Sequence, residues 1–284
     1  WAQRGTSTGY DNRLIEAWRD WAFRVAELAD AYTTEVEGGD VAPDKNDQYF
    51  LMQTVLGTWP MELAGPDYDG IDGYTERIVE YALKAIREAK VNTSWTATNQ
   101  EYEDAMERYV RSLLSVRRSG TLVKVIEQFV RQVEIPAAVN GIAAKLLALT
   151  VPGVPDSYQG TEWWDLSLVD PDNRRPVDFE AREAFLKNVD LSAEGCARAL
   201  HNWRCGDPKS LTVAAALRLR SRLPDLFADG EYVPLKTVGT HADRVVAFLR
   251  RRESDAVLVV APRLVAPLVV EAAVPLPIGW DTSR

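Results

Sequence analysis

The chain has 284 residues, 46% of them apolar and 26% charged, the composition of an ordinary globular protein with room for one large domain and a small one. Its net charge of −9 argues against a nucleic-acid partner, no charged-then-apolar leader stands at the start, and no stretch reads as a membrane span. Cys196 and Cys205 lie in one helical region, where two thiols in a reducing compartment account for them without a disulfide. The chain opens on Trp1, stops after Thr282-Ser283-Arg284, and reads as part of a longer polypeptide.

Residues 1–12 show no period and read as a loop. Leu14 to Val36 has a helical stripe of Leu14, Trp18, Trp21, Val25, Leu28 and Ala29, ended by Gly38-Gly39-Asp40 and Pro43. A second helix starts at Asp44-Lys45-Asn46-Asp47, capped by Asp44 or Asn46, and carries Tyr49, Phe50, Met52, Val55, Leu56 and Trp59 to Pro60. After a Gly/Asp/Pro loop, Tyr74 to Ala89 is a helix with alternating charges that runs into Lys90-Val91-Asn92-Thr93-Ser94-Trp95. Lys90, Thr93, Ser94 and Trp95 place an ammonium, two hydroxyls and an indole at a helix end, a set suited to binding hydroxyl-rich ligands. A solvated surface lysine explains Lys90 equally well.

Asn99 to Arg118 and Thr121 to Thr150 read as long helices separated at Gly120, with Pro136 kinking the second. The string AAVNGIAAKLLALT is apolar and small, as burial with close backbone approach requires. From Pro152 to Phe179 a long helix gives way to a short apolar run and then a long polar loop, the pattern of the last unit of a (β/α)8 barrel. Tyr158, Gln159, Trp163 and Trp164 beside Asp170, Asp172, Asn173, Arg174 and Arg175 suit a sugar site, with flat aromatic faces for a pyranose ring and fixed groups for its hydroxyls. The alternative is a structural loop, with the tryptophans as core plugs and the arginines paired to nearby aspartates. Short helices follow at 180–188, 192–203 and 208–219. From Glu231 the period falls to two, giving antiparallel strands at 232–235, 244–249, 256–260 and 268–270.

Several strings resemble a known family. GVPDSYQGTE is similar to the eighth-strand motif of the α-amylase family of barrel glycosidases and transglycosylases, and GTEWWDLSLVDPDNRRPVDF resembles one branch of it, the maltooligosyl trehalose synthases. The run Asn46, Asp47, Tyr49, Gln53, Thr54, Gly57, Trp59, Pro60 and the string KAIREAKVNTSW at 84–95 are similar to elements of the same branch. The resemblance covers about residues 14 to 270. It departs at Asn92, where a histidine is expected, and after Trp95, where a proline is expected.

The resemblance implies an α/β fold: the last part of a (β/α)8 barrel with a large helical insertion (1–229), followed by a small antiparallel β-domain (230–284). It also implies a cytoplasmic enzyme that isomerises the reducing-end α-1,4 bond of a maltodextrin into an α,α-1,1 trehalose end. A retaining mechanism needs two carboxylates about 5 Å apart, and in the family these lie upstream of Leu14, the third acid on a His-Asp motif. Neither His201 nor His241 precedes an aspartate. Asp170 with Asp172 and Glu162 with Asp165 lie beside arginines, which favours salt bridging over a raised-pKa acid. No catalytic residue, metal or cofactor is therefore expected here. The expected partners are a maltooligosaccharide and the N-terminal part of the same enzyme, with neither nucleic acid nor membrane. A related glucan hydrolase or transferase, or a non-catalytic glucan-binding subunit, are the competing readings.

Overall fold

The computed structural model describes residues 12–63 and 68–269. The expectations for residues 1–11 and for everything after Val269 lie outside them. Backbone contacts divide the described residues into two units, one within 12–132 with 166–175, the other 133–165 with 176–269.

The first unit is helical. α1 (Asn12–Ala29) buries Trp21, Val25 and Ala29, with the Trp21 ring stacked on Phe129 at 4.9 Å between centroids. It ends at Ala29, the last residue of its stripe, rather than at Val36. Thr33 donates its hydroxyl to Asp30 O at 2.7 Å, and such β-branched, self-bonding residues leave a helix readily. The chain then forms a small antiparallel hairpin, β1 (Thr34–Glu35) with β2 (Val41–Ala42), turned through Gly38 and Gly39 at positive φ. The expected helix through Val36 is thus corrected to a helix plus a hairpin.

α2 (Lys45–Thr58) is capped by Asp44, whose Oδ1 accepts from Asp47 N at 2.8 Å. α3 (Ile71–Ala89) and α4 (Gln100–Leu113) pack against each other, with Tyr74, Ile78, Ala82 and Ile86 of the first and Tyr102, Met106 and Tyr109 of the second buried. α5 (Val116–Thr150) crosses the boundary between the units, burying Leu122, Ile126 and Phe129 in the first and Ala138, Val139 and Leu149 in the second.

α5 bears out one expectation, a break next to Gly120, and corrects another, a kink at Pro136. Its only non-helical residue is Ser119, whose single hydroxyl proton has Ser112 O, Leu113 O and Ser115 O as acceptors within 2.7–2.9 Å and so competes with the helix ladder. The helix runs on through Pro136 in helical φ/ψ. The kink at Ser119 falls one residue before the division expected at Gly120, and the whole span 116–150 is long and apolar enough by length and composition to cross a membrane. Its buried stripe is that of a core helix.

In the second unit the stretch after α5 holds no strand. Residues 154–158 belong to no helix or strand, and Val154 is 98% exposed. The strand expected there is not formed, since a parallel strand exists only through flanking strands and none is present among the described residues. α6 (Phe179–Lys187), α7 (Ala193–His201), α8 (Asp207–Arg222) and the short α9 (Pro224–Asp229) follow. The sheet is three-stranded and antiparallel in the order β3 (Glu231–Pro234), β4 (Val245–Arg252), β5 (Asp255–Pro262), with Leu249 opposite Val233 and Leu258. Of the fourth expected strand, 268–270, the described residues Leu268 and Val269 instead end a helical turn, α10 (Ala266–Val269), into which Pro267 fits with its fixed φ and missing N–H.

Arg250 of β4 is wholly buried and reaches four backbone carbonyls, those of Thr150, Leu226, Phe227 and Gly230, at 3.0–3.2 Å. It ties the end of α5 and the carbonyls of α9 to the sheet in a dry environment.

Candidate functional site

Two candidate segments hang from one helix. α3 presents Arg77, Lys84 and Arg87 at heptad-like spacing, which places them along one side of the helix. Arg77 grips Asp172 with both arms, Nε to Oδ1 at 2.8 Å and Nη2 to Oδ2 at 2.9 Å, and also donates to Leu166 O. Lys84 donates to Asp170 O at 2.7 Å. These bonds fasten the loop 166–175 to the helix. One turn from the helix end, Arg87 pairs with Glu103 of α4 and lies over the Trp95 ring.

Lys90 ends α3 in the left-handed conformation, φ 58, its N–H bonded to Ile86 O. Thr93 is buried, donates its hydroxyl to Glu103 and accepts from Asn99 N. Ser94 Oγ accepts from Ala97 N at 2.9 Å and closes a turn. Trp95, on that turn, is 57% exposed.

In the second loop Asp172 is enclosed: besides Arg77 it accepts from Leu168 N at 2.7 Å and lies 3.3 Å from Arg175. Burial pushes its carboxyl up, but Arg77 and the Leu168 N–H outweigh this and hold it below the usual carboxylate range. Asn173 is half-buried, its Oδ1 shielded from solvent. Arg174 is exposed and pairs with Asp170 at 2.6 Å, which holds that carboxyl low. Arg175 donates to Asp172 O and Ser167 Oγ. The salt-bridged reading of Asp170 and Asp172 matches what the structure shows.

The remaining candidates, Tyr158 and Gln159, belong to the other unit. Both are exposed, in a turn where Tyr158 O accepts from Thr161 and Gly160 takes φ +91. Trp163 and Trp164 are held there as packing groups. Trp164 donates to Trp203 O at 2.6 Å, Lys209 donates to Trp163 O, and Arg182 lies 4.6 Å from the Trp163 ring. Gly141 of α5 leaves room for Trp164, since a Cβ there would sit 3.3 Å from its ring, which is the close approach expected of the small-residue string. Glu162 pairs with Arg182.

A polar cluster joins the two candidate strings of the first unit. Asn92 donates its amide to Asp44 Oδ2 at 2.8 Å and Asp47 Oδ2 at 3.4 Å, and lies 2.8 Å from Tyr102 Oη, which donates to Asp47 at 2.6 Å. Burial is the main reason the Asp47 carboxyl is raised, with Asp44 adding to it against the Tyr102 and Asn92 hydrogen bonds. The position expected to carry histidine thus holds another donor to carboxylates. Sequence reasoning missed Arg77, Arg87, Glu103 and Tyr102; the heptad-spaced basic residues of α3 were the available signal.

No family model matches the chain. A protein of Mycobacterium tuberculosis, provisionally named maltooligosyl trehalose synthase, is 41% identical over 240 residues, 84% of this chain and 27% of the relative. The chain belongs to the maltooligosyl trehalose synthase family. It spans about a quarter of the length of the curated synthases it matches. The solved maltooligosyltrehalose synthase of Arthrobacter ramosus superposes with TM-score 0.67 at 34% identity, covering 89% of this chain and 29% of that one. The structure of a hypothetical maltooligosyl trehalose synthase from Sulfolobus tokodaii gives TM-score 0.66 at 28% identity, with 87% and 29% covered. Two of the family strings of the first unit, 84–95 and the 166–175 part of the longer one, meet on α3.

Proposed function

We propose that this chain is the C-terminal portion of a cytoplasmic enzyme that converts the reducing-end α-1,4 bond of maltodextrins into an α,α-1,1 trehalose bond. In this reading residues 1–229 complete a (β/α)8 barrel with a helical insertion, and 230–284 form the β-domain. The reading is carried by the 41% identity over 240 residues to a protein bearing the synthase name. The nucleophile and the acid/base lie in the N-terminal part of the enzyme and work by a retaining mechanism.

The chemistry explains what this portion must do. A maltooligosyl-enzyme intermediate releases the reducing-end glucose, which turns in place so that its anomeric hydroxyl attacks instead of water. That needs an acceptor pocket that grips a free glucose and keeps water out. The exposed Trp95 indole and the Arg174 guanidinium stand on loops fastened to one helix, which supports a rigid wall for that pocket. Tyr158, Gln159, Lys90, Thr93, Ser94, Asp172, Asn173 and Arg175 are the other residues of the reading. Those whose polar atoms already serve Glu103, Ala97 or Arg77 shape the loops.

The test is product analysis with maltopentaose and the complete enzyme. A non-reducing product of unchanged length is expected. A shortened chain with free glucose as the main product would contradict the reading and indicate a hydrolase.

A further inference from the structure

We propose that Arg87 and Glu103 are positioning residues that hold the Trp95 indole as a stacking platform for one hexose ring of the glucan. This rests on the glucan-acting function proposed above and adds to it the two groups that fix the platform.

The geometry is a chain of clamps. Arg87 donates Nε to Glu103 Oε1 at 2.9 Å and Nη2 to Oε2 at 2.5 Å, a two-armed pairing that sets the plane of the guanidinium. Glu103 is 2% exposed and also accepts the Thr93 hydroxyl at 2.8 Å, so the carboxylate itself cannot swing. Thr93 Oγ1 accepts from Asn99 N at 3.0 Å, and Ser94 N bonds Ala97 O, which pins the turn carrying Trp95 from both sides. The fixed guanidinium carbon then lies 4.9 Å from the centre of the Trp95 ring.

A lone tryptophan at a loop tip samples several rotamers, and ordering it on binding costs affinity. Here one face of the indole rests on a cation held by a buried carboxylate, and the exposed remainder is presented to solvent. A flat aromatic surface already in place matches the apolar C–H face of a pyranose. A salt bridge serving stability alone would not need to sit under an exposed indole. Burying Glu103 is costly without such close pairing, which makes the clamp stiff.

The experiment is a mutant cycle in the complete enzyme, with the maltopentaose Kd measured by calorimetry and the products analysed in parallel. The variants are Trp95→Ala, the double change Arg87→Met with Glu103→Gln, and all three together. The double change removes both charges at once and keeps an acceptor for Thr93. Trp95→Ala is expected to weaken binding about tenfold, as loss of one aromatic contact does. The double variant should weaken it in the same direction, and the triple variant should bind no worse than Trp95→Ala, since a clamp without its platform has nothing to hold. Multiplying factors in the triple variant, or an unchanged Kd in Trp95→Ala, would overturn the proposal. Arg87→Lys, which keeps the charge for Glu103 and loses the fork, guards against a poorly folded double variant; its Kd should fall between wild type and Trp95→Ala, and a wild-type value counts against the clamp. The product analysis is a separate readout: hydrolysis in place of isomerisation overturns the activity while the cycle still tests the platform, and absence of maltopentaose binding to the unsubstituted enzyme overturns both.

Discussion

Arg77 and Asp172 lie 95 positions apart and meet in a two-armed ion pair, with N–O distances of 2.8 and 2.9 Å. Side-chain exposure is only 21% and 11%, so the pair is shielded rather than solvated. Asp172 also receives the Leu168 N–H, which makes it the organising centre of the 166–175 loop.

Replacing Arg77 with Met leaves Asp172 charged and half-enclosed. A loss of about 2–3 kcal/mol is expected from breaking such a pair at one end, read as a lower urea midpoint. Asp172→Asn should cost less at low pH than at neutral pH. Because the folded carboxyl is held below its usual 3.8, its contribution is complete above that value and fades as pH falls through the folded pKa.

Asp47 should behave in the opposite sense. Its carboxyl is raised in the fold, chiefly by burial, so its contribution is fully present below the unfolded value of 3.8 and is lost as pH rises through the folded pKa. Denaturation of wild type and Asp47→Asn between acid and neutral pH should therefore show the variant gaining relative stability as pH rises. Asn92→Asp, which sets a third carboxylate against Asp44 and Asp47, should destabilise by about 1–3 kcal/mol at neutral pH and less in acid.

Arg250 donates to four backbone carbonyls from a fully buried position. Arg250→Met would leave those acceptors without their donor, an expected loss of about 3 kcal/mol. Arg250→Lys should recover little, because one ammonium cannot span carbonyls that a planar fork reaches. Thermal melting of the two variants checks both statements.

Gly206, at φ +89, lies against the backbone of the tryptophan pair: a Cβ would fall 2.9 Å from Trp164 N and 3.0 Å from Trp163 Cβ. Gly206→Ala combines left-handed strain with a clash against backbone, and a loss of about 2 kcal/mol or more is expected. A shift in tryptophan fluorescence should accompany the lower melting temperature.

Much of the chain was legible where local signals suffice. The Asp44 cap, the helix over α3, the helices after Phe179 and three strands of the sheet follow from period and capping. The failures have two causes. Some are local: the Thr33 hydroxyl bonds Asp30 O and the Ser119 hydroxyl bonds carbonyls six and seven residues back. Others depend on distant groups: residues 154–158 have no strand beside them to pair with. At the candidate site the two motif strings were visible, whereas the groups that fasten them were not. Arg77 and Lys84 look like ordinary surface charges until the 166–175 loop arrives 86 to 95 residues later.

The claim that the loops on α3 wall in a glucose acceptor is tested most directly by product partitioning. The complete enzyme and its Trp95→Ala and Arg174→Ala variants are given maltopentaose, and the ratio of free glucose to non-reducing product is measured. Both variants should release several times more glucose per trehalose-ended product while still consuming the substrate. A ratio unchanged in both would contradict the account.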